Sequence, residues 1–291
     1  MPGLNEIKRR IKSVKNIQQI TKAMKMVAAS KVKKVQSKVL AFRPYAERIE
    51  EVLQHLMSEV KGDYALDPIL KNREIKTVGL VVISSDKGLC GSYNSNLVKF
   101  AKSEIEKFQS QGYNVKLWLV GNKSFGPFKF TELEIINKYS QLPQIPTIIE
   151  AKMLKKTILE NFLNGNVDKV VFAYTNFISM VQYKPSLFQL IPISEENFKN
   201  KDKPLKLHIF EPNANEMIKE VLPWYIENEI YHILLESSAS ELVARMIAMS
   251  SATDNAKDML DSITLIYNKA RQSAITKEIN EVVSGANALS E

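Results

Sequence analysis

Residues 4–43 read LNEIKRRIKSVKNIQQITKAMKMVAASKVKKVQSKVLAFR and contain neither glycine nor proline. A second window without these helix-breaking residues lies between Pro223 and Gly285, near the other end of the chain. At about 1.5 Å of rise per residue, the two windows allow helices of roughly 60 Å and 90 Å. Helices in globular proteins average only about three turns. Two such long helices, one near each end of the chain, favour a mechanical role over a catalytic one.

Apolar residues recur at helical spacing along the first window. They are Ile7, Ile11, Val14, Ile17, Ile20, Met24 and Val27, followed by Val32, Val35, Val39 and Phe42. The same period resumes after Pro44, where we expect a kink. The sequence Lys61-Gly62-Asp63 is expected to end the element.

The last segment carries a similar stripe with a period near 3.5 residues, which is typical of a coiled-coil seam. Its members are Leu242, Met246, Met249, Ala256, Met259, Ile263, Ile266, Ala270, Ala274 and Val282. If the middle of the chain folds as one unit, the helix entering it and the helix leaving it run antiparallel. The sequence therefore predicts a long antiparallel coiled coil formed by residues 1–62 and 210–287.

The middle of the chain, residues 75–205, alternates between strand and helix patterns and predicts a central α/β domain. The expected strands cover residues 75–84, 115–120 and 169–174, with a final strand or hairpin arm at 179–193, and the expected helices lie near residues 97–108 and 147–163. Alternating strands and helices imply a mostly parallel sheet with helices on its faces. The fold class is α/β with an added coiled coil.

Charge is unevenly distributed along this chain of net charge +8. Between Lys8 and Lys38 there are eleven Lys or Arg residues and no Asp or Glu, whereas Glu241–Glu291 carries seven acids and five bases. A helix surface of one sign favours an acidic partner. Nucleic acid is one such partner, and an acidic protein loop is another.

The composition does not favour a membrane-spanning or secreted protein. No apolar run approaches the roughly 18 residues of a membrane helix, and the first residues lack the apolar core of a secretory signal. The single cysteine, Cys90, excludes an intrachain disulfide and fits a reducing compartment.

The turn SSDKGLCGSYN at residues 84–94 is the strongest candidate for a chemical site. It lacks both GxxxxGK[ST] and GxGxxG, so a tight strand-to-helix turn is favoured over a phosphate site. Cys90 is interpreted as a packing residue, because a nucleophile needs a base nearby and the histidines are isolated in sequence. We expect no catalytic residue, no cofactor and no metal site.

The amino-acid sequences at both ends of the chain resemble those of the γ subunit of F-type ATP synthase. The stretch IKSVKNIQQITKAMKMVAASK (Ile11–Lys31) is similar to its N-terminal signature. ELVARMIAMSSATDNA (Glu241–Ala256) and YNKARQSAITKEINEVVSGANAL (Tyr267–Leu289) are similar to its C-terminal helix, and SSDKGLCGSYN matches its central turn. The resemblance covers the whole chain in order. The cysteine-containing insertion of the chloroplast branch is absent, so thiol regulation of that type is not expected.

The resemblance implies a non-catalytic rotor. The terminal helices would form a curved coiled coil inside a ring of three α and three β subunits. The Rossmann-like domain would lie against the ε subunit and the membrane ring of c subunits, on the cytoplasmic face of the bacterial plasma membrane. Proton flow would turn the c ring and this chain with it, while catalysis resides in β. Contact with the membrane would be made only through the Fo sector, and nucleic acid would not be a partner.

The resemblance also implies particular contact residues. Expected contacts to β-subunit loops are Lys8, Arg9, Lys22, Met24, Lys25, Arg245, Arg271, Gln272 and Thr276. Expected contacts to the c ring and ε are His208, Phe210 and Glu211. A solvated coil position is the alternative for each β contact, and local core is the alternative for Phe210.

Without the resemblance, the residues themselves leave two other classes of function open. A coiled-coil nucleic-acid binder with a hinge-like domain would need basic residues on both helices, which the mixed charge of the last segment does not favour. An α/β enzyme would need a phosphate or nucleophile motif in the central domain. The ordered signatures at both ends favour the rotor.

Overall fold

The computed structural model describes residues 4–59, 68–70, 73–193, 210–211 and 213–289 of the 291. The elements in chain order are α1 (Leu4–Glu59), β1 (Thr77–Ile83), α2 (Tyr93–Ser110), β2 (Asn114–Val120), α3 (Asn122–Phe128), β3 (Glu134–Tyr139), α4 (Ile148–Leu163), β4 (Lys169–Ser179), β5 (Gln182–Ile191) and α5 (Ala214–Leu289). With 56 and 76 residues, α1 and α5 are far longer than an average helix. The predicted pair of long terminal helices is confirmed.

Both long helices continue through helix-breaking residues. The kink expected at Pro44 stays a prediction, and the expected end at Lys61-Gly62-Asp63 lies outside the described residues. Pro44 lies inside α1, and Pro223 lies inside α5. Gly285 is also helical. A helix proline removes one backbone hydrogen bond and crowds the preceding turn. Here Pro44 is exposed, and buried residues such as Val35 and Ile49 fix the helix on either side of it.

Contacts along the chain group into two compact units. One contains Met1–Ala28 and Met246–Glu291, and the other is the continuous range Ala29–Arg245. We call them the tip unit and the base unit. Each contains a part of α1 and a part of α5.

The base unit is built on a five-stranded sheet in the order β3-β2-β1-β4-β5. Strand β1 pairs in parallel with both β2 and β4, and β2 pairs in parallel with β3. The edge strand β5 pairs antiparallel with β4. The sheet is therefore mostly parallel, as predicted, and the expected hairpin arm is β5.

Alternate residues of β1 face opposite layers, as strand geometry requires. Val78, Leu80 and Val82 pack with residues of α2 such as Leu97 and Phe108. On the other face of the sheet, Val81 and Ile83 join a larger core.

That larger core contains apolar residues of α4 and of both long helices. Within it, α1 contributes Ile49 and Leu53, and α5 contributes Leu222 and Ile226. Further along the base unit, Phe42 of α1 meets Tyr231 of α5 edge to face, with ring centroids 4.9 Å apart. The two helices therefore pair within the base unit and pack against the sheet.

Helix α4 begins with a capping box. The Thr147 side chain accepts a hydrogen bond from the Ile149 backbone N–H at 3.3 Å. The Glu150 carboxylate accepts hydrogen bonds from the Thr147 backbone N–H at 2.7 Å and from its hydroxyl at 2.6 Å. Burial raises the pKa of Glu150, but these hydrogen bonds outweigh burial, so the net pKa is lowered. The ionised carboxylate therefore stabilises the start of α4.

We predict that Thr147→Ala lowers the free energy of unfolding by about 1 kcal/mol at neutral pH, because the cap is lost. The stabilisation by Glu150 is present above its unfolded pKa and is lost as the pH falls through its lowered folded pKa. The difference between the two proteins should therefore shrink in acid. Urea unfolding at neutral and acidic pH measures this, with the exposed, mid-helix Thr264→Ala as the control. Equal losses for both variants would contradict the assignment.

Candidate functional site

In the tip unit α1 and α5 pair antiparallel. The hydroxyl oxygens of Thr21 and Thr253 are 2.8 Å apart, and the Lys25 ammonium donates to the Ser250 hydroxyl at 2.9 Å. The later residue of α1 therefore meets the earlier residue of α5. We call the line of buried and half-buried residues between the two helices the seam.

The seam on α1 departs from the predicted apolar stripe after Val14. Its next members are Gln18, Thr21 and Ala28, whereas Ile17, Ile20 and Val27 are at least half exposed. Alternating steps of three and four residues keep a coiled-coil position on the same side of the helix. The predicted stripe continues from Val14 to Ile17 and Ile20, which are two successive steps of three residues. This spacing departs from the alternation of three and four, so the predicted stripe leaves the seam.

On α5 the same error affects Met259, Ile266 and Val282, which are exposed although they were predicted to face the partner helix. The seam residues in this part are Met249, Thr253, Ala256, Leu260, Ile263, Tyr267, Ala270 and Ala274. They follow steps of four and three without interruption. This spacing was available in the sequence, but the polar Thr253 obscured it.

Both helices of the tip unit leave large apolar side chains exposed. On α1 they include Ile17 and Ile20, which are neighbours on one helix face, and on α5 they include Leu265 and Ile266, with Leu265 72% exposed. Contiguous apolar residues left in water usually mark a surface that a partner covers. The tip unit therefore presents both apolar and basic side chains outward.

The basic residues predicted as contacts lie on this outer surface. Lys8, Arg9, Lys22 and Lys25 are exposed, and Met24 is half-buried beside the seam. Lys25 reaches across to α5 through Ser250, so its charge is positioned by a contact between the helices.

On α5 the predicted residues Arg271, Gln272 and Thr276 are also exposed. The Thr276 hydroxyl donates to the Gln272 backbone carbonyl at 3.0 Å. By the register of the seam, Leu4 lies opposite the region of Ala270. From residue 271 to residue 286 every described side chain except that of Ala274 is exposed, so this end of α5 has no covering helix among the described residues.

Arg245 has a different setting, because it is only 6% exposed and belongs to the base unit. Its guanidinium forms an ion pair with Glu241 at 2.5 Å and donates to the backbone carbonyls of Lys87 and Gly88 at 3.3 and 3.2 Å. The predicted contact of Arg245 with a β-subunit loop stays a prediction. Within this chain the guanidinium orients the β1–α2 loop.

The residues predicted to contact the c ring and ε are only partly described. His208 lies outside the described residues. Phe210 is half-buried, packs against the large core and meets the His55 ring edge to face, with centroids 5.2 Å apart. This contact favours the local-core alternative for Phe210. Glu211 is exposed.

The turn at residues 84–94 is closed by α5. The Tyr93 hydroxyl lies 2.9 Å from the Ser237 hydroxyl, and the Ser240 hydroxyl donates to the Thr175 carbonyl at 3.0 Å. Ligands of doubly wound sheets bind outside the carboxyl ends of the strands. Here side chains of α5 reach the carboxyl end of β1 and the adjoining part of β4, which supports the interpretation of a structural turn.

Cys90 lies in the same turn and is buried. Burial raises the pKa of its thiol, although the Ser85 hydroxyl near it opposes the shift. A thiol held neutral is a poor nucleophile. The setting fits the packing role expected from the sequence.

None of the described helices combines the length and the apolar character needed to cross a bilayer. Among the described residues, no group of three or more His, Cys, Asp or Glu side chains is arranged to bind a metal ion.

Comparison with known proteins agrees with this geometry. The sequence model of the ATP synthase family matches residues 3–289. The ATP synthase gamma chain of Heliobacterium modesticaldum is 46% identical over 295 residues, covering 99% of this chain and all of that one. The gamma chain of Gloeothece citriformis is 42% identical over 315 residues, with the same coverage.

Solved structures show a similar fold. A chain from the central stalk and c ring of the Tetrahymena thermophila mitochondrial ATP synthase has a TM-score of 0.60 at 28% identity, covering 80% of this chain and 99% of that one. A chain of the Euglena gracilis mitochondrial ATP synthase has a TM-score of 0.66 at 15% identity, covering 98% and 94%, and supports the fold alone. With the family model and the curated relatives spanning nearly its whole length, the chain belongs to the ATP synthase gamma chain family.

Proposed function

We propose that this protein is the central rotor shaft of an ATP synthase, which couples rotation of the c ring to conformational change in the catalytic β subunits. The observation that supports the proposal best is the outer surface of the tip unit. It combines exposed apolar residues such as Ile17 and Leu265 with the basic face of α1. Such a surface fits a protein enclosed by other subunits.

The charge on α1 suits a surface that turns inside a ring. Attraction between lysines and acidic loops acts over several ångströms and depends weakly on geometry. It therefore changes gradually as one subunit rotates past another. Lys8, Arg9 and Lys22 are exposed and free to act in this way toward acidic β-subunit loops.

Asymmetry is the second requirement for a shaft. A single shaft can bias three equivalent sites only through contacts that differ with direction. In the tip unit the charged residues of α1 are mostly basic, whereas α5 carries mixed charge. Arg271, Gln272 and Thr276 are exposed on α5 and are proposed contacts to a different set of β-subunit loops.

The proposed partners are the α and β subunits, the ε subunit and the c ring. One of the similar solved chains was determined in a central stalk with its c ring. In this chain the exposed Glu211 of the base unit is the proposed contact to the c ring and ε, whereas Phe210 packs against the large core of the base unit. The protein would act at the cytoplasmic face of the plasma membrane, reach the membrane only through the Fo sector, and leave catalysis to β.

The alternative of a nucleic-acid-binding coiled coil is not supported. Backbone binding to nucleic acid needs clustered cations along the surface that tracks the phosphates. Of the two long helices, α1 offers them, whereas the segment Glu241–Glu291 is slightly acidic. The family model and the curated relatives also point to ATP synthase.

We predict that removing residues 272–291 weakens coupling in the assembled complex while the base unit stays folded. The described part of this segment is exposed except for Ala274, so its loss removes little of the folded core. Proton pumping per ATP hydrolysed, measured in inverted vesicles, should fall several-fold. Thermal unfolding of the isolated chain should change little. Full pumping by the truncated complex would count against a shaft that acts through this end.

We predict that reversing charge at Lys8, Arg9 and Lys25 to Glu also loosens coupling, because attraction to acidic loops becomes repulsion. Each exposed charge pair is worth about 0.2–1 kcal/mol, so the triple variant should lower the pumping ratio severalfold rather than abolish assembly. The control carries Glu at the exposed Lys99, Lys102 and Lys156 and changes net charge equally. An equal effect of both triple variants would show that net charge, and not the α1 face, is responsible.

A further inference from the structure

A chain of polar contacts crosses the base unit at the carboxyl edge of the sheet. It starts on α1, where the Lys31 ammonium donates to the Gln144 side-chain oxygen at 2.5 Å. Gln144 belongs to the β3–α4 loop and donates from its amide nitrogen to Glu241 of α5 at 3.4 Å. The Ser238 hydroxyl, also on α5, donates to the Gln144 backbone carbonyl at 2.5 Å. One glutamine thus connects both long helices to a loop of the sheet.

The chain continues from Glu241 to a second loop. Glu241 pairs with Arg245, which donates to the backbone carbonyls of Lys87 and Gly88 in the β1–α2 loop. The next residue, Leu89, has a φ of 63°, a conformation that costs energy for a residue with a side chain. Arg245 therefore holds the loop at the point where its backbone is strained.

Apolar packing is incomplete at this place. Ile145 of the β3–α4 loop does pack against a smaller cluster of both long helices that includes Val32 and Leu242. A cavity of about 440 Å³ lies at the ends of β1 and β2, and its walls include Lys31, Gln144 and Glu241. Where a cavity separates two elements, the dispersion contacts that would join them are missing. The polar contacts that border the cavity therefore supplement the apolar contacts of Ile145 and Cys90 in connecting the long helices to these two loops.

Burial strengthens these contacts. Arg245 is buried, and Glu241 is buried enough that its pKa is raised, although the guanidinium beside it opposes the shift. In such surroundings, hydrogen bonds and charge pairs are screened less than at the surface. Separating Glu241 from Arg245 would leave a charge without its partner, which is costly in a protein interior.

We propose that the polar chain Lys31–Gln144–Glu241–Arg245 is a torque-bearing junction that prevents the sheet from twisting about the helix pair. The inference rests on the proposed rotor function and names the residues that pass load within the base unit. The large core at Ile49, Leu53 and Leu222 attaches the helices to the sheet at one level. The junction, together with the apolar contact of Ile145, attaches them at a second level. Two separated attachments resist twisting better than one.

The test measures the rotational stiffness of the assembled complex. A bead is attached through biotin at an exposed position of α2, and its angular fluctuations are recorded while the catalytic ring is fixed to glass and stalled without nucleotide. Gln144→Ala should raise the angular variance about twofold, and Lys31→Ala should raise it similarly. The double variant should add no further increase, because both substitutions break the same link. Gln109→Ala, at an exposed position of α2, is the matched control and should leave the variance unchanged.

The outcomes separate the junction from the rotor assignment. If ATP drives rotation of the bead in every variant but Gln144→Ala fluctuates no more than Gln109→Ala, the junction proposal is wrong and the rotor stands. Additive increases in the double variant would also overturn a single shared link. If ATP drives no rotation even with the unmodified chain in an active complex, the rotor proposal itself fails. Co-purification of each variant with the ring confirms that loss of assembly is not responsible.

Discussion

The antiparallel pairing of α1 with α5 is the constraint on which the rest of the structure depends. In the tip unit it places Thr21 against Thr253 and Lys25 beside Ser250. In the base unit it brings Phe42 to Tyr231 and joins Leu53 and Leu222 in one core. An isolated helix is marginally stable in water, and most helical stability in proteins comes from tertiary packing. The pairing therefore makes elements of 56 and 76 residues possible, and it decides which side chains remain outside to meet partners.

Much of the fold followed from the sequence because long periodic segments give strong signals. The absence of glycine and proline predicted both long helices, and β-branched runs predicted the parallel strands. The orientation of the seam was harder to predict. Ile17, Ile20 and Val27 looked like seam residues because they are apolar, yet Gln18, Thr21 and Ala28 occupy the seam. In this part of α1 the most apolar residues do not recur with a constant period of 3.5 residues. The residues that lie between the two paired helices do follow that period, although some of them are polar.

The candidate site likewise combines features that the sequence predicts with features that only the structure shows. Exposure of Lys8, Arg9 and Arg271 agrees with contacts to other subunits, as the motifs implied. Arg245 shares the same C-terminal motif region, but the structure turns it inward to Glu241 and the β1–α2 loop. No local pattern reveals that orientation, because it depends on a loop more than 150 residues away in the chain. The polar chain through Gln144 was invisible for the same reason, since its members come from three separate segments.

The direct test of the central claim is a set of distances between spin labels in the assembled complex, in a Cys90→Ala background that removes the single native thiol. Labels are placed at Val27 and, in separate samples, at Ile247 or Ile263. Antiparallel pairing puts Ile247 opposite Val27 and Ile263 further along α5 by about 24 Å, at about 1.5 Å per residue. The account predicts a short, narrow distance distribution for the first pair and a clearly longer one for the second. Equal distances, or a shorter distance to Ile263, would contradict the paired shaft.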